Sequence, residues 1–221
     1  MIKLHGFAYS NYYNIVKHVL LYKGLPFEED LQWGGSEAYL ALSPAGKVPS
    51  MTTEQGENLS ESSVCCDYIE EAYPTPPLYP ADVTQRAKVR QIMKISELYL
   101  ELQCRRLLPF IFTKTEVPAA IDSDIREVVN RAIGALNRLC SFSPYVTGSK
   151  ITMADIYLRY VMGVVDIGSH KLGWDIGAEI NGLKDWQAMM RDNDISIKVD
   201  ADRAANEAAF YQMVQQRIAA R

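Results

Sequence analysis

An α+β fold, a small mixed sheet followed by an all-helical bundle, is predicted by three observations on this 221-residue sequence. Up to about Tyr79, short segments of strand period and helical period replace one another every ten or so residues. A proline cluster, Pro74, Pro76, Pro77 and Pro80, then breaks the chain. Beyond it, no segment alternates as a strand does, and the helical period recurs in long runs. These observations set an N-terminal domain over 1–79, a linker over 79–84, and a helical domain over 85–221.

In the first domain, Ile2, Lys3, Leu4 and His5 alternate as a strand. Ile15, Val16, Val19 and Leu20 recur at the spacing of an amphipathic helix, which Gly24 stops. Phe27 to Leu31 reads as a second strand, so the run is a strand, a helix and a strand joined by a right-handed parallel crossover. Val48 to Thr52 and Asn58 to Ser60 flank a turn at Gly56 and read as an antiparallel hairpin leading into a helix over 62–72. The resulting four-stranded mixed sheet with its helices is a thioredoxin-like arrangement.

In the second domain, Ile92, Met93, Ser96, Tyr99 and Leu100 form one apolar stripe, and Ile125, Val128, Val129, Ala132, Ile133 and Leu136 form another. Thr152 and Asp155 stand at the offset of a capping box, in which the carboxylate accepts the Thr152 amide. Ile156, Tyr157, Tyr160, Val161, Val164 and Val165 follow as one broad apolar face, which marks a helix at the bundle centre. From Asp202 onward the chain is rich in alanine and glutamine and reads as a helix partly open to water.

Composition excludes several functions. With 48% hydrophobic and 23% charged residues, the chain is neither disordered, collagenous nor membrane-embedded. Net charge is −4 with no block of like charge, so no nucleic-acid footprint is present. Cys65, Cys66, Cys104 and Cys140 form no Cys-x-x-Cys pair, and His5, His18 and His170 lie apart from them, so neither a disulfide framework nor a metal site is signalled. Near the amino terminus the apolar stretch Val19 to Tyr22 is too short for a signal core or a membrane span, which makes the cytoplasm the expected compartment.

The chemistry is concentrated in two short segments. Ser43 to Pro49 leads into a strand, and Glu61 with Ser62 opens the next helix. Pro49 takes one amide out of the ladder, which leaves the Val48 peptide available to an extended peptide adding as a strand. The helix start at Ser62 offers amides, a partial positive charge and a hydroxyl, a set that suits a carboxylate. Glu61 can meet an ammonium and Lys47 a second carboxylate. The ligand these groups describe is a small peptide carrying an amine and a carboxylate on one carbon. Taken singly, Ser62 is a helix cap, Glu61 a turn residue and Lys47 a surface lysine; their order along the chain gives them a joint meaning.

On Ser43 to Pro49, Glu61 and Ser62, the connection Leu78 to Asp82 and the Thr152 to Asp155 box, the chain resembles a cytosolic glutathione S-transferase over nearly its whole length. The likeness is to serine-type, bacterial members. It implies a cis bond before Pro49, a homodimer, and glutathione as co-substrate with no metal. It makes Val48 the backbone partner of the cysteinyl unit, with Pro49 beside it. It gives Glu61 and Ser62 the γ-glutamyl end and Lys47 the glycine carboxylate.

The same resemblance makes Ser10, four residues beyond Gly6, the catalytic hydroxyl, while the strand tyrosine of tyrosine-type members has no counterpart near Gly6. Tyr9, Tyr12 and Tyr13 stand close enough to leave a phenolic donor open, and Asn11 lies one residue from the place of an assisting asparagine. A serine in this position is also an ordinary helix cap. A glutaredoxin-like thiol exchange would want cysteine in place of Ser10, and Cys65 and Cys66 read as buried packing. The second substrate, by resemblance, sits between the domains against Tyr12, Leu108 and Phe112.

The function implied is a transferase that activates glutathione as a thiolate and joins it to a small hydrophobic electrophile, as in detoxification. Conjugation, isomerisation, dehalogenation and peroxide reduction all remain open. The alternative is a glutathione-transferase-like binding or regulatory dimer without turnover.

Overall fold

In the computed structural model, which describes residues 1–220, the first strand β1 (Ile2–Gly6) leads into α1 (Asn11–Tyr22) and then β2 (Phe27–Leu31). A short helix α2 (Glu37–Leu40), capped by Ser36, precedes the hairpin β3 (Ser50–Thr52) and β4 (Asn58–Ser60). Helix α3 (Ser62–Ala72) completes the layer. The sheet has the order β2-β1-β3-β4, with β1 and β2 parallel and the other pairings antiparallel, as the element order predicts. Ile2, Leu4, Ile15, Val16, Val19, Leu20, Met51 and Ile69 form the core of this layer and are fully buried. The third strand starts at Ser50 rather than Val48, since Pro49 has no amide to give the ladder and Val48 stays outside it.

The helical part holds α4 (Val83–Ile95), a π-helical turn over Ser96–Glu101, α5 (Leu102–Arg105), α6 (Leu108–Phe112), α7 (Ala119–Leu139), α8 (Met153–Leu172) and α9 (Leu183–Arg191). Helix α4 begins inside the segment read as a linker, because Asp82 caps it by accepting the Gln85 amide at 2.8 Å. Ile92, Met93, Ser96 and Leu100 are buried, but Tyr99 is exposed. The π-helical turn accounts for this: its i→i+5 bonding fits more residues into each turn and shifts the phase of the stripe, beginning at Ser96, whose hydroxyl donates back to the Ile92 carbonyl. Helix α8 is buried nearly all round, including every residue of its predicted apolar face. The capping box at its start forms, and the Asp155 carboxylate accepts from the Thr152 and Val146 amides and from Trp186 Nε1. No helix among the described residues is long and apolar enough to cross a membrane.

By its contacts the chain divides into two compact units, one holding Met1–Pro77 and the segment from Asp192 onward, the other Leu78–Arg191. This division differs from the expected domains 1–79 and 85–221 in where it groups the segment from Asp192 onward. The last helix, α10 (Asp194–Ala219), packs with the sheet unit, on α1. One of its ties there is electrostatic. The Lys17 ammonium, 1% exposed, lies 2.7 Å from Glu29 and 2.8 Å from Asp202. Breaking a buried ion pair from one side costs about 3–5 kcal/mol. Glu29 and Asp202 keep partial access to water, so Lys17→Met is expected to destabilise the protein by roughly 3 kcal/mol, the low end of that range, as measured by urea unfolding.

Candidate functional site

Register assembles the site before any side chain is considered. His5 on β1 stands opposite Ser50 on β3, and Ser50 stands opposite Ser60 on β4. The residues that follow β1, precede β3 and follow β4 therefore share one end of the sheet. Those residues are Phe7 to Ser10, Val48 with Pro49, and Glu61 with Ser62. The parallel strand β2 adds its own exit, Gln32 to Gly34, at the same end. Ligands of open sheets gather outside the carboxyl ends of strands for this reason.

Ser10 is the N-cap of α1, and its Oγ accepts the Tyr13 amide at 3.4 Å. A hydroxyl has two acceptor lone pairs and one donor, so the cap uses one lone pair and leaves the O–H unused. Among the described residues, that O–H donates to nothing. The cap reading and the donor reading of Ser10 are thus compatible, and the amide it accepts polarises the O–H it can give.

The Val48–Pro49 peptide bond is cis, as the resemblance implies. Among the described residues, neither the N–H nor the C=O of Val48 makes a hydrogen bond, whereas the Lys47 carbonyl accepts from Ser43 Oγ at 2.8 Å and Tyr39 Oη at 3.3 Å. The loop is held firmly up to Lys47, and the open peptide comes next. The Lys47 side chain is exposed and Pro49 is buried. Gly34 backs this loop closely. A Cβ there would stand 2.9 Å from the Gly46 carbonyl oxygen, and its φ of +73° is one that glycine adopts without cost.

Glu61 is exposed and has φ 69° and ψ 120°, a sparsely populated conformation for a residue with a side chain. It occupies the N-cap of α3, but its side chain accepts none of the amides that follow. Ser62, the first residue of α3, is buried. Where α1, α4 and α10 each begin with a side chain accepting their first amides, α3 begins with none.

Two of the three tyrosines left open as phenolic donors are occupied elsewhere. Buried Tyr13 donates its hydroxyl to Glu29 at 2.5 Å, and burial together with that carboxylate pushes its pKa well above the ordinary phenol value. The Tyr9 hydroxyl lies 3.3 Å from Glu207 and 3.4 Å from Tyr211, and burial followed by the Tyr211 contact raises its pKa too. Cys65 and Cys66 are buried as expected. Burial, then the Glu61 charge, pushes the Cys65 thiol up to about 12. Cys66 is raised well above its ordinary value by burial, so neither thiol is poised for redox exchange.

The residues expected to meet the second substrate are divided between the units. Tyr12 is half-buried on the first turn of α1. Leu108 and Phe112 begin and end α6, four residues apart and so on one helical face, both half-buried.

Sequence reasoning missed the contribution of α10. Asn206 Oδ1 accepts the Tyr9 amide at 3.1 Å, Phe210 stacks on the Tyr9 ring at 4.2 Å, and Arg203 covers that ring at 4.3 Å. It also missed Asn14, whose Nδ2 donates to the Ala8 carbonyl at 2.8 Å. The available signal was the spacing of Asp202, Asn206 and Phe210 on one face of a helix, a stripe too mixed to read as core.

Against known proteins, the family model described as the glutathione S-transferase N-terminal domain matches residues 4–77. A curated glutathione S-transferase of Pseudomonas putida is 39% identical over 217 residues, which cover 97% of this chain and 98% of that protein. The chain belongs to the glutathione S-transferase family. A maleylpyruvate isomerase of a Ralstonia species is 31% identical over 71% of this chain and 79% of its own. Among solved structures, a glutathione transferase of Phanerochaete chrysosporium with oxidized glutathione has a TM-score of 0.79 at 20% identity. The match covers 94% of this chain and 96% of that one. The protein is thus an enzyme of the glutathione S-transferase family, with that family's thioredoxin-like layer and helical part.

The Glu61 backbone supplies a test that needs no ligand. An unfavourable φ/ψ of this kind costs about 1–3 kcal/mol, while a new glycine loosens the unfolded chain by only about 0.4–1 kcal/mol. Glu61→Gly is therefore expected to unfold at an equal or higher urea concentration than the parent. A loss above about 1 kcal/mol would mean that the Glu61 side chain supports the fold itself.

Proposed function

We propose that this enzyme binds glutathione in extended form, with the cysteinyl unit paired to the Val48 backbone beside Pro49. The γ-glutamyl ammonium meets Glu61, the γ-glutamyl carboxylate meets the first turn of α3 at Ser62, and the glycine carboxylate meets Lys47. Ser10 then donates its hydroxyl hydrogen to the glutathione sulfur and keeps it as a thiolate. The observation that carries this reading is the open Val48 peptide, located at the same end of the sheet as a hydroxyl whose hydrogen is unspent.

The energetic demand on Ser10 is modest. A free thiol with pKa about 8.5 is about 3% ionised at pH 7, and lowering that value by two units requires about 2.7 kcal/mol. A hydrogen bond to a charged group contributes about 1.5–3 kcal/mol, and the positive end of α1, which Ser10 caps, adds to it. No general base is needed, because the thiol proton leaves to solvent. The thiolate electron pair then forms a carbon–sulfur bond to the electrophile, and a leaving group departs with the electron pair of the bond it breaks. A less basic thiolate is a weaker nucleophile, so the rate gains less than the thiolate fraction does. A hydrophobic electrophile suits the half-buried Tyr12 on the first turn of α1.

A second reading has its own support in the Ralstonia relative, a maleylpyruvate isomerase. In that reading the thiolate adds to a cis double bond, the resulting single bond rotates, and the sulfur is expelled with its electron pair, so that glutathione is regenerated. Both readings use the same activated sulfur. Glutathione consumption separates them: conjugation removes one glutathione per turnover and isomerisation removes none.

For Ser10→Ala, glutathione is expected to bind within about threefold of the parent affinity, while the bound thiol returns toward about 8.5 in a titration of thiolate absorbance. Equal acidity in both proteins would transfer the role to Tyr12 or to a backbone amide. Absence of binding in both would favour a non-catalytic dimer. Tyr9→Phe should leave the thiol titration unchanged, since its hydroxyl already faces Glu207 and Tyr211.

A further inference from the structure

The backbone leading into Ser10 is a hydrogen-bonded turn, in which the Ser10 amide donates to the Phe7 carbonyl at 3.0 Å. Its central peptide joins Ala8 to Tyr9, and both polar groups of that single plane are taken by asparagine side chains. The Ala8 carbonyl accepts from Asn14 on α1 at 2.8 Å, and the Tyr9 amide donates to Asn206 on α10 at 3.1 Å. Rotation of the central peptide is the motion that changes one β-turn type into another. Here that motion would break both bonds at once.

The same stretch of α10 grips the Tyr9 side chain. Phe210 stacks on the ring and Arg203 covers it, at positions one turn after and one turn before Asn206. The helix is itself anchored on both sides of this grip. Asp202 pairs with buried Lys17, and Arg217 Nη2 donates to the carbonyls of Trp33 and Gly34 at 3.1 and 3.0 Å. Asn206 thus reaches Tyr9 from a rigid support. Ser10 Oγ, in contrast, has only the long 3.4 Å contact with the Tyr13 amide to hold it directly. Its place is decided by the turn behind it.

We propose that Asn206 is a positioning residue for the thiol chemistry: from α10 it pins the Tyr9 amide and so sets the Ser10 hydroxyl against the glutathione sulfur. The inference rests on the reading of Ser10 as the thiolate donor. It adds to that reading a required partner from the far end of the sequence, acting through backbone and touching no substrate. Functional groups must be held within about 0.5 Å to work, and a displacement of 1 Å can cost up to about a hundredfold in rate.

The test compares the bound-thiol titration, glutathione Kd and kcat of the full-length parent with those of Ser10→Ala, Asn206→Ala, Asn206→Leu, Asn206→Asp and the double variant Ser10→Ala/Asn206→Ala. Alanine favours the helix and leucine keeps the volume, so at least one variant lacking the acceptor should fold; aspartate retains an acceptor oxygen. Asn206→Ala or Asn206→Leu is expected to raise the bound thiol pKa by about one unit and to lower kcat about tenfold, with Kd within about threefold of the parent. Asn206→Asp should restore the parental titration, and the double variant should titrate as Ser10→Ala does. A purely structural role would lower the melting temperature without moving the thiol titration.

If Ser10→Ala raises the thiol pKa and neither variant lacking the acceptor does, the role of Asn206 is overturned and that of Ser10 stands. If the double variant exceeds Ser10→Ala, Asn206 acts by another route and the inference fails. If Ser10→Ala itself leaves the titration unchanged, the donor reading falls and takes this one with it.

Discussion

The antiparallel register of β3 against its two neighbours is the constraint from which the site follows. With His5 opposite Ser50 and Ser50 opposite Ser60, three chain segments that are distant in sequence meet at one end of a small sheet. A slip of one residue would turn Met51 out of the core and exchange the faces of β3, so burial on that face enforces the register. The turn after β1, the peptide before β3 and the helix start after β4 become neighbours because the core demands it.

Polar groups in this protein divide by whether the fold has already used them. Asp155 accepts two amides and an indole N–H, and Lys17 is enclosed by two carboxylates; these groups hold structure together and have little left to offer a ligand. The Ser10 O–H, the Val48 peptide and the Glu61 carboxylate are spent on nothing else in the site's geometry. Glu61 reaches that condition at a backbone conformation that its own side chain disfavours. Unspent hydrogen bonds and a strained backbone at one sheet end are the observations on which the proposed glutathione site rests.

Helix α10 binds this end of the sheet unit together. Its contacting face carries Asp202, Arg203, Asn206, Phe210 and Arg217, which address a lysine, an aromatic ring, a backbone amide and two carbonyls. Such a face packs by specific pairing more than by apolar area. It therefore fixes geometry at the turn after β1 and at the Trp33 to Gly34 turn, both of which border the site.

The sequence by itself determined the features that depend on near neighbours. Alternation and helical period placed all four strands and the main helices, the box at Thr152 was legible from its spacing, and Pro49 marked the peptide that stays outside the ladder. Family resemblance then attached Ser10, Lys47, Val48, Pro49, Glu61 and Ser62 to one ligand. Tertiary structure alone decided that Tyr99 turns outward, since a π-helical turn shifts the phase without changing the apolar pattern. It alone showed that the Tyr9 and Tyr13 hydroxyls are already engaged, and that α10 belongs with the sheet. Those outcomes rest on contacts between residues far apart along the chain, such as Tyr9 with Asn206 and Lys17 with Asp202, and a mixed stripe of charge, amide and aromatic carries no periodic apolar signal to announce them.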